Sequence, residues 1–270
     1  MVVILTLAPA FSFASDETAT YAVEGYGGTG QCNQSLLYFT VDTGGAFSAE
    51  FDEWITNGYW YSTEANWNAG VDGPDWIDPV NSGADSNDPF GADHADVAFY
   101  AGHGNHWCDT DGVAMYMGDS SYTCTIYTYL YVNLGNSDAD IFVGEACELS
   151  HLCVWESGHY DEVTSGNLSL WLGFHGISYD TVGAPLDMAN WVSSTRLNDV
   201  GDWFVDERTD FYGGSNNDQC ATAIAWGENS AQADLAFFSG GFDDRPDPGN
   251  RSFSNFYYID GCDPYDGEAL

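Results

Sequence analysis

The sequence predicts a single α/β domain over residues 15–270, a three-layer α/β/α sandwich around a mostly parallel sheet. Short apolar runs that end at glycine alternate with segments of helical periodicity. That alternation is typical of layered α/β folds. A chain of 270 residues, 44% of them hydrophobic and 16% aromatic, is long and apolar enough to bury one large core.

The individual elements follow from the same patterns. Buried strands are predicted where aromatic and β-branched residues cluster: 35–42, 95–100, 141–144, 170–177 and 221–226. Apolar residues at helical spacing predict helices at 47–58, 185–196 and 202–211, the second with Leu186, Ala189 and either Val192 or Ser193 on its apolar stripe. The alternation of tyrosine with β-branched residues over 126–134 predicts a hairpin or edge strand. Segment 68–94 is expected to be a long surface loop, and the chain beyond Gly240 is expected to be rich in turns.

Charge is the most unusual property of the composition. The chain has 42 acidic residues against four arginines and no lysine, a net charge of −38 spread along its whole length. Such a surface repels itself unless salt screens it, and it resembles the surfaces of proteins from extreme halophiles. The same charge argues against a nucleic-acid partner, whose phosphates it would repel.

The first residues indicate export. Residues 1–14 form an apolar run that ends in small residues, as in a signal peptide. No later run reaches the roughly 18 apolar residues that a membrane span needs. We therefore expect a secreted or cell-surface protein, with no membrane span once the signal is removed.

Seven cysteines leave one without a partner if the others pair. If Cys147 is a nucleophile, the remaining six can form three disulfides. Fifteen pairings of six cysteines are possible, and only Cys108 with Cys124 is predicted, because the two are close in sequence.

Two chemically capable residues follow predicted strands. His103 stands between Gly102 and Gly104 after the strand at 95–100, and Cys147 follows the strand at 141–144. In parallel sheets the functional site lies beyond the carboxyl ends of the strands, so the two side chains are expected to meet there. Residues 148–153 are predicted to form a helical turn, whose N-terminal amides would favour a Cys147 thiolate.

These motifs resemble a known group. Phe99-Tyr100-Ala101-Gly102-His103-Gly104, followed by Ile141-Phe142-Val143-Gly144-Glu145-Ala146-Cys147-Glu148, is similar to the His-Gly and Ala-Cys signatures of the caspase, gingipain and legumain peptidases, with Glu145 to Glu148 most like legumain. The likeness covers residues 95–180, and secreted prokaryotic proteins of little-known function share its segment 172–176.

The resemblance implies a caspase-like fold, a peptide or protein substrate and no required cofactor. It implies His103 as general base or acid and Cys147 as nucleophile, with the Gly104 and Cys147 amides binding the oxyanion. Glu145 and Glu148 become candidate substrate-contacting residues. The preferred substrate residue does not carry over, because the loops that determine it in the family cannot be aligned.

Other assignments remain open on sequence alone. His175, followed by Gly176, is a rival catalytic histidine, although it follows Cys147 against the family order. His151 would share a helical face with Cys147 and could tune its thiol. Cys147 could instead pair with Cys153, which would favour a catalytically silent binding protein of the same fold.

Metal chemistry is the third alternative. His94, His103, His106, Cys108 and Asp109 lie close together in sequence, and His103 with His106 could form a metallohydrolase site. Structural calcium could bind acidic turns, at Asp109 with Asp111 or within 72–78. Oligomeric state leaves no signal in the sequence.

Overall fold

The computed structural model describes residues 16–26, 34–56, 60–82, 91–109, 112–118, 123–212, 217–242, 245, 248–265 and 269–270. The predicted signal peptide, residues 1–14, lies outside them.

The strands, in chain order, are β1 (Asp16–Ala22), β2 (Trp60–Trp67), β3 (Val97–Ala101), β4 (Gly104–Trp107), β5 (Gly112–Tyr116), β6 (Thr125–Tyr127), β7 (Ile141–Glu145), β8 (Leu170–Phe174), β9 (Ala221–Gly227) and β10 (Phe253–Tyr257). The helices are α1 (Thr40–Thr56), α2 (Pro79–Ser82), α3 (Thr128–Tyr131), α4 (Leu152–Glu156), α5 (His159–Glu162), α6 (Ala184–Thr195), α7 (Val200–Arg208) and α8 (Ser230–Phe238).

Within the described residues, the central sheet has seven strands in the order β10-β9-β8-β7-β3-β1-β2. The five strands from β8 to β2 are parallel, whereas β9 and β10 join in antiparallel pairing. A smaller antiparallel sheet, β4-β5-β6, stands apart from it. The predicted mostly parallel α/β architecture is therefore confirmed.

The two faces of the sheet are covered differently. Alternate residues of each strand point to opposite faces, so Phe99 and Val143 pack against α1, α6, α7 and α8, while Tyr100 and Phe142 belong to the opposite core. That second core contains residues of β5, β6, α4 and α5. The outer layer there is thus a small sheet with short helices, whereas the predicted α/β/α sandwich has helices alone in each outer layer.

Most predicted elements are confirmed: the strands at 95–100, 141–144, 170–177 and 221–226 correspond to β3, β7, β8 and β9, and the helices to α1, α6 and α7. The predicted buried face of α6 is partly wrong, because Leu186 is 65% exposed whereas Met188 and Trp191 are buried. The alternating segment 126–134 holds the end of β6 and the short helix α3.

The predicted strand at 35–42 is wrong. Residues 34–37 are irregular and α1 begins at Thr40, while Leu36 and Tyr38 are 56% and 67% exposed. The strands β1, β2, β4, β5 and β10 and the helices α2, α5 and α8 were not predicted. Segment 68–94 is not merely surface loop, since it buries Trp76 completely in the second core.

The cysteines pair across long sequence distances. Disulfides join Cys108 to Cys153 and Cys220 to Cys262, and Cys124 is also disulfide-bonded. The predicted Cys108–Cys124 pair is wrong, because the fold brings the end of β4 against the start of α4. Cys147 is the free thiol of the described residues, so it is not paired with Cys153. None of the helices in the described ranges has the length and apolar character needed to span a bilayer.

Candidate active site

His103 and Cys147 lie at the same edge of the central sheet. Strands β3 and β7 are parallel neighbours in a register that pairs Ala101 with Glu145. Each candidate residue stands two positions beyond its strand, so both side chains emerge at the carboxyl edge, as expected. They line one pocket of about 210 Å³.

The His103 imidazole is oriented by a loop that the sequence did not mark. Its Nε2 lies 2.8 Å from the backbone carbonyl oxygen of Ser35 and 3.1 Å from the Ser35 hydroxyl, and its ring packs 5.1 Å from that of Tyr26. A carbonyl can only accept a hydrogen bond, so Nε2 carries the proton in this arrangement. In the neutral ring, Nδ1 is then the nitrogen able to accept a proton.

The backbone of His103 is fixed as firmly. Its N–H donates to the Tyr26 hydroxyl at 2.8 Å, and its carbonyl accepts from the Tyr100 hydroxyl at 3.0 Å and from the Tyr116 N–H at 3.1 Å. Tyr100 is fully buried in the second core. These hydrogen bonds fix the backbone of His103 to residues of the second core.

Gly104 is required because the turn at Cys147 approaches it closely. A Cβ built at this position would lie 2.1 Å from the Cys147 carbonyl oxygen and 3.1 Å from the Leu149 side chain. Any side chain would push the Cys147 turn away from β4. A glycine is therefore needed after His103 so that the Cys147 turn can pack against the start of β4.

The amide of Gly104 points away from β5. His103 accepts a hydrogen bond from Tyr116, which makes these two residues a hydrogen-bonded position of the β4–β5 ladder. Gly104, opposite Met115, then occupies the next position, whose N–H and C=O face away from the partner strand. Its N–H is consequently free of that ladder, as an oxyanion donor must be.

Cys147 is a half-buried free thiol that lines the pocket. Its Sγ donates to the Ser178 carbonyl oxygen at 3.7 Å. Burial, followed by the neighbouring carboxylates of Glu148 and Glu145, raises the pKa of the Cys147 thiol to about 11, although the Ser178 contact acts to lower it. A sulfur in this environment needs a base to become a nucleophile.

The predicted helical turn after Cys147 is wrong. Glu148 has a left-handed backbone, φ 60°, and helix α4 begins only at Leu152. The Glu148 N–H donates to the Gly176 carbonyl at 2.7 Å. Because residues 147–150 form turns, no helix N-terminus lowers the pKa of the thiol.

Glu145 forms a buried ion pair beside the sulfur. The carboxylate is 5% exposed and lines the pocket, where its Oε1 accepts from Arg208 Nη2 and, at 3.2 Å, from the Ser178 hydroxyl. Its second oxygen, Oε2, is buried without a hydrogen bond from any described residue. Glu145 therefore lies in the same pocket as His103 and Cys147.

Glu148 faces the other way. It is absent from the pocket lining, and its Oε2 lies 3.1 Å from Nδ1 of His106. Its expected contact with substrate is thus not supported by where the structure places it.

The remaining histidines lie outside the pocket. His175 is completely buried, and its Nδ1 accepts from the Leu152 N–H at 3.1 Å. His151 is 3% exposed and caps α4, so it does not share a helical face with Cys147. Burial, with His175 and His106 nearby, lowers the pKa of His151 to about 2.

The predicted metallohydrolase pair is not brought together. His103 lines the pocket, whereas His106 stacks on His151 with ring centroids 3.7 Å apart. Residues three apart on an extended chain point to opposite sides, which explains the separation. His94 contacts Glu17 instead, at 3.3 Å. Asp109 is exposed at a turn, and Asp111 lies outside the described residues.

Sequence reasoning missed Ser35, Ser178, Asp180 and Arg208. Ser178 and Asp180 line the pocket, and both Asp180 oxygens accept backbone N–H groups of residues 38 and 39. Ser35 and residues 38–39 lie in the segment mistaken for a buried strand. Of these four residues, Arg208 alone could have been suspected from the sequence. The chain has only four basic side chains, so each is expected to have a specific acidic partner.

A family model described as a domain of unknown function, DUF6345, matches residues 23–261. The chain belongs to the DUF6345 family. No curated protein matches this DUF6345 chain. Among solved structures, the chain is similar to a secreted C11 cysteine protease from Bacteroides thetaiotaomicron in complex with an irreversible peptide inhibitor. The identity is 11%, the TM-score is 0.33, and the match covers 81% of this chain and 67% of the other.

Proposed function

We infer that this DUF6345 protein is an exported cysteine endopeptidase in which His103 and Cys147 form the catalytic dyad. The observation that carries the proposal is that the free thiol of the described residues shares one pocket with a histidine from the adjacent parallel strand. The two disulfides fit an extracellular location, because such bonds persist in oxidising compartments.

The chemistry begins with a proton transfer. Because the pKa of the thiol is about 11, a resting thiolate is scarce at neutral pH, and His103 Nδ1 takes the S–H proton as the sulfur attacks the substrate carbonyl carbon. The imidazolium keeps its Nε2–H on the Ser35 carbonyl, which orients the ring and stabilises its charge as the third group of a triad does.

The remaining steps use the same groups. The oxyanion is bound by the Gly104 amide and the Cys147 amide. The C–N bond breaks as His103 returns the proton to the leaving amine, which leaves a thioester on Cys147. Water then attacks the thioester, with His103 as base, and releases the carboxylic acid and the thiol.

The pocket favours a substrate side chain that donates hydrogen bonds. At about 210 Å³ it is smaller than the roughly 300–1,000 Å³ of drug-sized sites, so it suits one side chain. The buried Glu145 Oε2, which receives no hydrogen bond from any described residue, is an acceptor within that lining. A peptide library that varies the residue before the cleaved bond tests this preference.

Cleavage of that library by wild-type protein, in concentrated salt that screens its charge, tests the proposal. We expect His103→Ala to lower kcat/KM by about 10²- to 10⁴-fold, as for loss of a general base, and Cys147→Ala to abolish cleavage. His159→Ala, which changes a histidine remote from the pocket lining, is the matched control and should keep full activity. Cleavage that persists in Cys147→Ala would refute the proposal.

A catalytically silent binding protein is the second candidate. The observation that favours it is that the Cys147 sulfur and the His103 ring are each hydrogen-bonded to a backbone carbonyl instead of to each other. Wild-type protein that binds peptides from the library with the affinity of Cys147→Ala, and cleaves none, would support this candidate.

A further inference from the structure

Two copies of one short motif lie behind the proposed dyad. His106-Trp107-Cys108 follows His103 at the end of β4, and His151-Leu152-Cys153 follows Cys147 at the start of α4. In each copy the histidine and cysteine are two residues apart, one pair at the end of β4 and the other where α4 begins. The fold brings the two copies face to face.

Their four donor atoms lie close together. One imidazole nitrogen of each histidine and the two sulfurs all lie within 4.8 Å of one another. Nδ1 of His151 is 3.0 Å from the Cys153 sulfur, and the two imidazole rings stack 3.7 Å apart at 6°. Two sulfurs and two imidazole nitrogens are the donors that tetrahedral zinc takes in structural sites.

The surroundings suit a metal site as well. His151 is 3% exposed and the other three residues are half-buried, so the cluster is largely removed from solvent. Glu148 Oε2 lies 3.1 Å from Nδ1 of His106. A carboxylate on one ring nitrogen fixes the imidazole and leaves the other nitrogen to the metal, as is usual around zinc-bound histidine.

We propose that His106, Cys108, His151 and Cys153 form a zinc-binding site when the Cys108–Cys153 disulfide is reduced. A dithiol supplies two electrons and two protons and is oxidised to its disulfide, or a phosphine supplies the electrons, water supplies the protons, and the phosphine becomes its oxide; in either case the S–S bond breaks to give two thiols. Zn²⁺ then displaces both thiol protons and binds two thiolates and two neutral imidazoles.

The geometry allows the exchange with small movement. The Cα atoms of Cys108 and Cys153 are 5.3 Å apart. Zn–S bonds of about 2.3 Å in a tetrahedron hold two sulfurs roughly 3.8 Å apart, a separation that side-chain rotation reaches from this spacing. In either state the segments that follow His103 and Cys147 stay cross-linked, by sulfur or by metal.

Metal titration of the full chain tests the proposal, with Cys147→Ala as the background so that its thiol cannot bind the probe. The protein is reduced with a phosphine without oxygen and titrated with Co²⁺, then with Zn²⁺. We expect one Co²⁺ per chain, with the intense visible absorption of tetrahedral cobalt and a thiolate-to-cobalt charge-transfer band, displaced by one Zn²⁺. The oxidised protein should show neither band.

Variants assign the ligands. His106→Gln with His151→Gln keeps all the thiols and should lose the tetrahedral spectrum. Glu148→Gln should weaken Zn²⁺ binding by about 10- to 100-fold, as loss of a ligand's carboxylate partner does. Cys220→Ser removes the other described disulfide and should leave the spectrum unchanged.

X-ray absorption of the zinc-loaded chain checks the result without relying on any variant's fold. Two sulfur and two nitrogen neighbours, at about 2.3 Å and 2.0–2.1 Å, are expected. Four sulfur neighbours, a shell of nitrogen and oxygen alone, or no bound metal in reduced protein would overturn the proposal. Because metal binding is measured without catalysis, its failure and the failure of the peptidase proposal are separate results.

Discussion

The reactivity of the Cys147 thiol toward a small electrophile should depend steeply on pH. Burial and two neighbouring carboxylates raise the pKa of Cys147 to about 11, against about 8.5 for an ordinary cysteine. At pH 7 the thiolate fraction is then roughly 10⁻⁴, compared with about 3 in 100 for an ordinary thiol, a deficit of about 300-fold. A more basic thiolate is a better nucleophile, which restores roughly tenfold.

Iodoacetamide should therefore react with folded protein at pH 7 about 30-fold more slowly than with an ordinary thiol, and the rate should rise about tenfold per pH unit up to pH 10. Mass spectrometry of the alkylated chain over time measures the rate, since Cys147 is the free cysteine of the described residues. The chain unfolded in denaturant with its disulfides intact is the control, and should titrate as an ordinary thiol. A rate in folded protein that reaches a plateau at or below pH 8 would refute this reasoning, because it would mean a resting thiolate paired with a cation.

Three further predictions concern the fold and its link to the site. Gly104→Ala, whose Cβ would lie 2.1 Å from the Cys147 carbonyl oxygen, should cost about 1–3 kcal/mol in urea unfolding and lower peptidase activity at least tenfold. Gly45 is the control, because it lies in helix α1 and a Cβ added there would meet nothing within 4 Å. Gly45→Ala should raise the free energy of unfolding by up to about 1 kcal/mol and leave activity unchanged. Equal effects of the two substitutions would show that Gly104 is not required by the close approach of the Cys147 turn. Trp191→Ala in the completely buried core should cost about 3–5 kcal/mol; a cost below 1 kcal/mol would mean that the helix does not pack as described. Burial raises the pKa of Asp75 to about 7, above about 3.9 in the unfolded chain, so its stabilising contribution is full below pH 4 and is lost as pH rises through 7. Asp75→Asn should therefore flatten the fall in unfolding free energy between pH 4 and 7 at constant salt, and an unchanged slope would exclude that carboxyl as its source.

Sequence patterns identified the strands that carry the site because those strands are buried on both faces. The runs that became β3, β7 and β8 are continuously apolar and end at glycine or charged residues, which is typical of central parallel strands. The strands β2 and β10 lie at the two sheet edges, and their mixed polar sequences lack that signal. Conversely, Leu36 and Tyr38 are exposed on a loop, but their apolar side chains produce the same sequence pattern as a buried strand.

The candidate site was predictable only as far as it follows strand ends. His103 and Cys147 were found because each stands just beyond a strong strand pattern. The carbonyl that orients the His103 ring belongs to the backbone of Ser35, and a backbone group cannot be recognised from the residue type. The partner of Cys108 was missed because closeness in sequence says nothing about which strand end meets which helix start, whereas the repeated His-x-Cys spacing was visible and unused.

The dyad is tested most directly by covalent capture with a peptide. A short peptide ending in an electrophilic ketone is incubated with wild-type protein, His103→Ala and His159→Ala at pH 7, and the modified residue is mapped by tandem mass spectrometry. We expect one adduct per chain on Cys147 in the wild-type and His159→Ala proteins, and labelling slowed by about 10²-fold or more in His103→Ala. Labelling of folded wild-type protein no faster than that of His103→Ala, or an adduct on any other residue, would contradict the proposed dyad.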